Sequence, residues 1–216
     1  MLIDGFQRGN PQHRFNGFDY GLDGWIYAGG GSEDREIRSL KTGETTATHG
    51  RDFRFQPDLG QIEALSGQSG FVRSRDDFGR WFYGDNSRPI RHSVLPDHYL
   101  RRNPFAAYPP TGHDLCDPPL NPPVFPASRT RDRFNDLYTA NRFTSACSPV
   151  IYRADLLGPE YASAAFVCEP VHNLVHRMRV VPAGATFRGE RFAADASHEF
   201  LASTDPWARP VRVVTG

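Results

Sequence analysis

Apolar positions along this chain occur in short runs that are rich in β-branched and aromatic residues and are bounded by Gly, Asp, Asn or Pro. This pattern is typical of strands separated by turns, whereas the spacing of an amphipathic helix is scarce. The predicted strands lie at residues 25–28, 81–83, 150–152, 165–168 and 210–214. Residues 52–55 and 61–65 alternate around a turn at 57–60, which predicts a hairpin. We therefore expect an all-β protein.

Helical signals are confined to two short segments. Residues 96–103 begin with Pro96, which favours the first position of a helix, and residues 129–137 have a helical spacing. Between them, residues 108–126 are dense in proline, which removes backbone donors and favours an extended, solvated path. We predict a long loop or linker over this stretch.

One internal repeat bears on the architecture. The sequence DGWIY at 23–27 is echoed by FGRWFY at 78–83, with the two glycines 55 residues apart. A turn glycine, an aromatic strand and a Gly-rich exit, repeated at this interval, suit one β-propeller blade per repeat. Because there are only two copies, the periodicity alone leaves both a propeller and a β-sandwich open.

The composition is that of a folded domain without an obvious charged partner. The 216 residues include 25 Lys+Arg and 25 Asp+Glu, so the formal charge is zero. Since there is no Lys/Arg-rich block, we do not expect a general nucleic-acid binder. No apolar run approaches the ~18–20 residues of a membrane span. The first residues, MLIDGF, lack the basic and apolar regions of a signal peptide.

The three cysteines do not point to a specific role. Cys116, Cys147 and Cys168 form no C-x-x-C pair and no C-x-x-C-H haem-attachment motif. An oxidising compartment would allow Cys147 and Cys168 to pair, and buried free thiols are the alternative. The sequence leaves both interpretations open.

His13 is the first candidate for chemistry. It lies ten residues before the Asp23-Gly24 turn, and in a propeller this spacing places an imidazole on a loop near the central axis, where ligands bind. A histidine there can take a proton from an alcohol at neutral pH. A hydrogen-bonded structural histidine is the alternative.

Three other segments of the sequence contain residue types that bind metals. His172 and His176 are four residues apart, but Asn173 stands where an H-E-x-x-H zinc site has its Glu, so hydrogen bonding within a sheet is the expected role. The loops at 84–87 and 135–136 present oxygens of the kind that Ca²⁺ prefers, without the acidic spacing of an EF-hand. Turn stabilisation by Asx side chains is the expected role there. We predict no metal site.

Several longer stretches together resemble a known family. They are GFDYGLDGWIY at 17–27, DDFGRWF at 76–82, DHYLRRNP at 97–104, NRFTSAC at 141–147, AFVCEPVHNLVHR at 165–177 and EFLASTDPW at 199–207. In them the chain resembles the membrane-bound dehydrogenase propeller domain of planctomycete and verrucomicrobial proteins, which are large, exported and often carry a c-type haem domain. The resemblance implies an incomplete β-propeller over residues 1–216, about four blades of a six-bladed type, with an inter-blade loop at 108–126.

That domain is distantly similar to the soluble quinoprotein glucose/sorbosone dehydrogenases, six-bladed propellers that hold pyrroloquinoline quinone and Ca²⁺. The positions that match the spacing of their signature are His13, Gly21, Asp23, Ile26 and Tyr27. The resemblance therefore implies that His13 is the catalytic base, which deprotonates a sugar or alcohol hydroxyl while hydride passes to the quinone. Those enzymes grip the quinone with an Arg-Asn pair that has no counterpart at 66–71.

By this resemblance the chain is part of a quinoprotein-like dehydrogenase of an exported or periplasmic protein, with a cytochrome c module as electron acceptor. The alternatives are a non-catalytic propeller that binds carbohydrate or protein through its loops, and an inactive gene fragment. An Arg or Lys on the central face near His13 would favour the enzyme. A central channel filled by Trp25, Trp81 and Phe166 would favour the non-catalytic domain.

Overall fold

The computed structural model describes residues 1–6, 9–30, 36–100, 102–103, 105, 107, 110–128 and 142–215. Within these ranges the secondary structure is almost entirely β, with one single-turn helix, α1 (Asp97–Leu100). The strands are β1 Ile3–Asp4, β2 Asn16–Tyr20, β3 Ile26–Gly29, β4 Glu36–Ser39, β5 Thr45–Ala47, β6 Phe53–Gln56, β7 Gln61–Ala64, β8 Arg73–Arg75, β9 Trp81–Tyr83, β10 Arg91–Ser93, β11 Gly112–Asp114, β12 Cys147–Ile151, β13 Ala164–Glu169, β14 Leu174–Ala183, β15 Thr186–Glu190 and β16 Leu201–Ala202. The all-β prediction is confirmed. Within the described ranges, no helix has the length and apolar character needed to cross a bilayer.

The strands form four antiparallel sheets, and none of the four closes on itself in the part of the chain that is described. Three of them follow the chain as meanders: β2-β3-β6-β7, then β8-β9-β10-β11, then β12-β13-β14-β15, with β16 added beside β14. We call these the first, second and third meanders. The remaining sheet, β1-β4-β5, joins the N-terminal strand to a hairpin inserted between β3 and β6.

The first strands of the three meanders lie next to one another. The strand β8 packs between β2 and β12. A space of about 170 Å³ separates these strands from the C-terminal segment, and its lining includes Asp19 of β2, Ser74 of β8, Val150 of β12 and Val213. Successive meanders are therefore arranged side by side, and we call the space between their first strands and the C-terminal segment the axis.

The apolar core lies mainly between the second and third meanders. Phe82 of β9, Leu174 and Met178 of β14 and Phe187 of β15 belong to one buried cluster. The strand β13 is buried on both faces, since Val167 faces this cluster and Phe166 faces a second one on the opposite side. This double burial explains the continuous apolar run that marks β13 in the sequence.

The sequence repeat corresponds to a repeated turn. Gly24 precedes β3 with φ at 78°, and Gly79 precedes β9 with φ at 76°, a left-handed conformation that favours glycine. Asp23 Oδ1 accepts the Trp25 backbone N–H at 3.2 Å, and Asp76 Oδ1 accepts that of Arg80, the matching residue after the second glycine, at 2.9 Å. The two copies are therefore equivalent turns that enter strands of neighbouring meanders.

Most predicted strands are confirmed to within a few residues, and so is the hairpin, as β6 and β7. The strand predicted at 210–214 is wrong, because this segment has no ladder partner among the described residues. Residues 212–214 line the same space as the first strands of the second and third meanders. The helix predicted at 96–103 is reduced to the single turn α1. The helix predicted at 129–137 lies outside the described residues.

The proline-dense stretch at 108–126 is less solvated than its composition predicts. It contains β11, which pairs with β10, because Gly112–Asp114 is a proline-free interval. Leu115 and Val124, which flank the prolines, are 3% and 0% exposed and belong to the main core. The prediction of a wholly extended, solvated loop is therefore wrong for its described part.

Candidate functional site

A cleft of about 490 Å³ opens where the chain enters the first strands of the meanders, and we call it the axial cleft. Its polar lining consists mostly of neutral hydroxyl and amide groups, with one cation. The polar residues are Gln12, Asn86, Thr144, Ser145, Ser148 and Arg209. Groups of this kind donate and accept hydrogen bonds without selecting a charged ligand.

One wall of the axial cleft is held by a buried carboxylate. Glu169, which is 0% exposed, accepts the backbone N–H groups of Thr144 at 3.1 Å and Ser145 at 2.9 Å, and it also accepts the Ser145 hydroxyl. Ser145 Oγ in turn accepts the Val171 N–H at 3.1 Å. Burial raises the pKa of Glu169, although the hydrogen bonds from Ser145 oppose that effect. This network fixes the loop that presents Thr144 and Ser145 to the cleft.

The opposite wall is the C-terminal segment, which Asn173 and Arg209 attach to the third meander. Asn173, in the left-handed conformation at φ 60°, donates from Nδ2 to the carbonyls of Ala208 and, at 3.3 Å, Pro206. Arg209 Nη1 donates to the carbonyl of Pro170 at 2.7 Å. These bonds hold the guanidinium of Arg209 in the lining of the cleft.

His13 directly follows, in the sequence, a residue that lines this cleft. It is the last residue of a 3₁₀ turn, Pro11–His13, that is capped by Asn10, whose Oδ1 accepts the Gln12 N–H at 3.0 Å. The His13 side chain is partly buried, and its neighbour Gln12 lines the axial cleft. The turn therefore brings His13 to the axial end of β2, and its role as catalytic base stays a prediction.

His172 and His176 have separate hydrogen-bonding roles. His172 ends a 3₁₀ turn ahead of β14, and its Nε2 lies 2.8 Å from the Arg142 carbonyl oxygen. His176 is on β14, and its Nδ1 lies 2.7 Å from Glu199 Oε2. The expected hydrogen bonding is confirmed, but the two residues do not share one strand. In the described part of the chain, no group of three or more His, Cys, Asp or Glu side chains is arranged to hold a metal.

The loop at 84–87 is an Asx turn, as expected. Asp85 Oδ1 accepts the backbone N–H groups of Ser87 and Arg88, both at 2.9 Å. Its carboxylate is therefore occupied by the turn itself. The loop at 135–136 lies outside the described residues.

The three cysteines are free thiols. Of the two interpretations that the sequence left open, this is the one without a Cys147–Cys168 disulfide. Cys147 of β12 and Cys168 of β13 are directly opposite in the antiparallel register. Burial raises the pKa of Cys147 to about 12 and that of Cys168 to about 11, so both thiols are protonated at neutral pH. Burial likewise raises the pKa of Cys116 to about 12. Such thiols are poor nucleophiles.

The described lining of the axial cleft lacks the groups that would hold a quinone–calcium pair. The quinone is a polycarboxylate, and Ca²⁺ takes carboxylate and carbonyl oxygens. The described lining contains one cation, Arg209, and no carboxylate. Glu169, a carboxylate that contacts this lining, is fully buried and occupied by the loop that it holds. The quinone and Ca²⁺ implied by the resemblance therefore stay predictions, and we derive no step through them.

A second and larger cleft, of about 750 Å³, lies between the first and second meanders, and we call it the inter-sheet cleft. At its wall, Arg54 contacts Asp23 at 2.6 Å, Glu63 at 2.6 Å and the Tyr27 hydroxyl at 3.0 Å. Trp81 of β9 stacks on Tyr27 of β3, with ring centroids 4.0 Å apart. The sequence repeat is the signal that marks this place, because both aromatic residues belong to it.

Comparison with known proteins supplies a family without an assigned function. A family model described as a domain of unknown function, DUF7133, matches residues 1–216. No curated protein and no solved structure matches the chain significantly. The chain therefore belongs to the DUF7133 family.

Proposed function

We propose that this domain provides the substrate site of a sugar or alcohol dehydrogenase, and that the axial cleft is this site. The observation that carries the proposal is a polar lining of neutral hydroxyl and amide groups that includes Gln12, the residue before His13, at the entry to the first strands. A polyhydroxylated substrate presents many donors and acceptors, which such a lining can match without charge selection. Arg209 is the cation in the described lining of the same cleft.

The three meanders correspond, in this proposal, to consecutive blades of a β-propeller. Three features support it: each meander follows the chain in order, β8 packs between β2 and β12, and the C-terminal segment lies along the same axis. In a propeller the first strands of the blades line the centre, and the loops at one end of that centre form the ligand site. The axial cleft occupies that end.

The role proposed for His13 is that of general base. Oxidation of a CH–OH group to a carbonyl releases one proton and one hydride equivalent. His13 takes the proton from the hydroxyl, while Arg209 and the lining hydroxyls orient the substrate. The hydride and the proton together reduce a two-electron dye of the quinone-imine class, which the assay supplies as the oxidant, so that the alcohol becomes the carbonyl product. Electron transfer to a cytochrome c module is the corresponding proposal for the natural acceptor.

The experiment is a dye-linked oxidation assay on a panel of aldoses, polyols and simple alcohols, with quinone and Ca²⁺ added or omitted. We expect turnover of at least one sugar or polyol, and we expect His13→Asn to lower kcat by about 100-fold or more, the usual contribution of a general base. His113→Asn, at an exposed position on β11, is the matched control and should leave kcat unchanged.

Two outcomes would contradict the proposal. One is the absence of turnover for every member of the panel under both cofactor conditions. The other is turnover that His13→Asn and His113→Asn affect equally, since His13 would then have no special role in the reaction.

A further inference from the structure

The inter-sheet cleft contains a preorganised set of hydrogen-bond acceptors. Arg54 donates from Nε and Nη2 to Glu63 Oε2 at 2.9 and 2.6 Å, and from Nη1 to Asp23 Oδ2 at 2.6 Å. Its guanidinium also lies over the Trp25 ring, 4.4 Å from the centroid. Both carboxylates are therefore held in one orientation before any ligand arrives, which lowers the entropy lost on binding.

These carboxylates retain capacity for a ligand. A carboxylate accepts about four hydrogen bonds. Asp23 accepts three, from Trp25 N, Tyr27 Oη and Arg54, and Glu63 accepts two, both from Arg54. Their side chains are 41% and 48% exposed, so the remaining lone pairs are accessible from the cleft. The cleft thus offers acceptors to a ligand that is rich in hydroxyl donors.

The charge of the cleft is balanced. Four arginines line the cleft, and four carboxylates balance their charge. Two of the carboxylates also line the cleft, and each of the other two is buried and forms an ion pair with one of the arginines. The arginines are Arg51, Arg54, Arg73 and Arg80, and the carboxylates are Asp23, Asp52, Glu63 and Asp76. Burial, aided by the charge of Arg80, lowers the pKa of His92 in this lining to about 4, so His92 is neutral at pH 7. A neutral ligand therefore fits better than a polyanion or a polycation.

The lining also provides hydroxyl and aromatic groups. Ser93 of β10 contributes a hydroxyl, whereas Ser66 is 4% exposed and donates its hydroxyl to the Leu95 carbonyl. Trp81 is partly exposed, with one face of its ring stacked on Tyr27. Tyr99 of α1 is 52% exposed, with His98 and Arg102 lying against its ring. The exposed parts of both rings offer apolar contact to the CH groups of a pyranose. The volume of about 750 Å³ exceeds that of a single sugar ring and lies within the ~300–1,000 Å³ range of small-ligand sites.

We propose that the inter-sheet cleft is a binding site for a neutral oligosaccharide, separate from the axial cleft. Asp23 and Glu63 accept hydrogen bonds from the sugar hydroxyls, Ser93 adds a polar contact, and the exposed parts of Tyr99 and Trp81 contact the CH groups of the sugar. The proposal does not depend on oxidation at the axial cleft, because it involves different residues and predicts binding rather than turnover.

The test is calorimetric titration with four neutral tetrasaccharides, cellotetraose, xylotetraose, mannotetraose and maltotetraose, and with tetragalacturonate as an anionic comparison. We expect 1:1 binding of at least one neutral tetramer, accompanied by a change in tryptophan fluorescence because Trp81 lines the cleft. Glu63→Gln should weaken that binding by about 10-fold, the effect of losing one hydrogen bond to a charged group. Ser93→Ala should weaken it less.

The control is Glu160→Gln, an exposed residue outside the lining of this cleft, which should leave the affinity unchanged. The thermal midpoint of each variant establishes that it is folded. The proposal is overturned if no neutral tetramer binds at millimolar concentration, if only tetragalacturonate binds, or if folded Glu63→Gln binds as tightly as the natural protein.

Discussion

Asp52→Ala should destabilise the fold by about 3–5 kcal/mol, the range for removing one partner of a buried ion pair. Asp52 is 0% exposed and contacts Arg73, itself 2% exposed, at 2.8 Å. It also accepts the N–H groups of Gly30 at 2.8 Å and Ser69 at 2.9 Å. Its loss leaves the guanidinium buried without a carboxylate partner and both N–H donors without this acceptor, and it removes one of the links between the first and second meanders.

The measurement is urea unfolding followed by tryptophan fluorescence and circular dichroism, with coincident transitions as the check for two-state behaviour. Asp58→Ala, at an exposed position in the β6–β7 turn, is the control and should change the free energy of unfolding by less than about 0.5 kcal/mol. Asp52→Ala combined with Arg73→Met should recover part of the loss, because no unpaired charge is then buried. An Asp52→Ala effect no larger than that of Asp58→Ala would refute the role assigned to this pair.

Glu199→Gln should lower the free energy of unfolding by about 3 kcal/mol at pH 7. Glu199, 5% exposed overall, accepts the Phe125 N–H at 2.9 Å and contacts His176 at 2.7 Å and Arg191 at 3.0 Å. Burial acts to raise the pKa of Glu199, but its hydrogen bonds and electrostatic interactions with His176 and Arg191 outweigh burial and lower it. The ionised carboxylate therefore stabilises the folded state.

The sign of the pH dependence follows from this lowered pKa. A carboxyl whose folded pKa is depressed contributes its full stability above its unfolded pKa, about 4.3, and loses it as the pH falls through the folded value. The stability gap between the natural protein and Glu199→Gln should therefore be constant from pH 7 to about pH 5 and narrow below that. Glu190→Gln, in a half-exposed pair with Arg188, should cost less than about 1 kcal/mol. A gap for Glu199→Gln that stays unchanged at pH 3 would contradict the assignment.

The sequence predicted the elements whose causes are local. Gly24 and Gly79 have the same positive φ because each turn requires it, so their repetition in the sequence signalled a repeated turn. The strands β9 and β13 follow from unbroken aromatic and β-branched runs. The strand predicted at 210–214 failed for a non-local reason, since a strand requires a ladder partner that a run of valines does not reveal.

The parts that the sequence did not predict depend on contacts between distant residues. Arg54 joins Asp23 and Glu63 only because β3, β6 and β7 are neighbours in one sheet. The axial cleft likewise combines Gln12, Ser145 and Arg209, which lie far apart in the chain. His13 was identified from its spacing to the Asp23-Gly24 turn and from a family resemblance, and its position next to Gln12 places it on the turn that leads to this cleft.

The central claim is that sugars or polyols bind in the axial cleft, and the most direct measurement is hydrogen–deuterium exchange with and without saturating D-glucose or sorbitol. The account predicts slower exchange in peptides that contain residues 144–148, 170–173 and 208–211, with little change elsewhere. His13→Asn should retain this protection, since a general base acts on the reaction more than on binding. Protection that is absent from these three segments, or that appears only around residues 63–66 and 91–99 of the inter-sheet cleft, would contradict the claim.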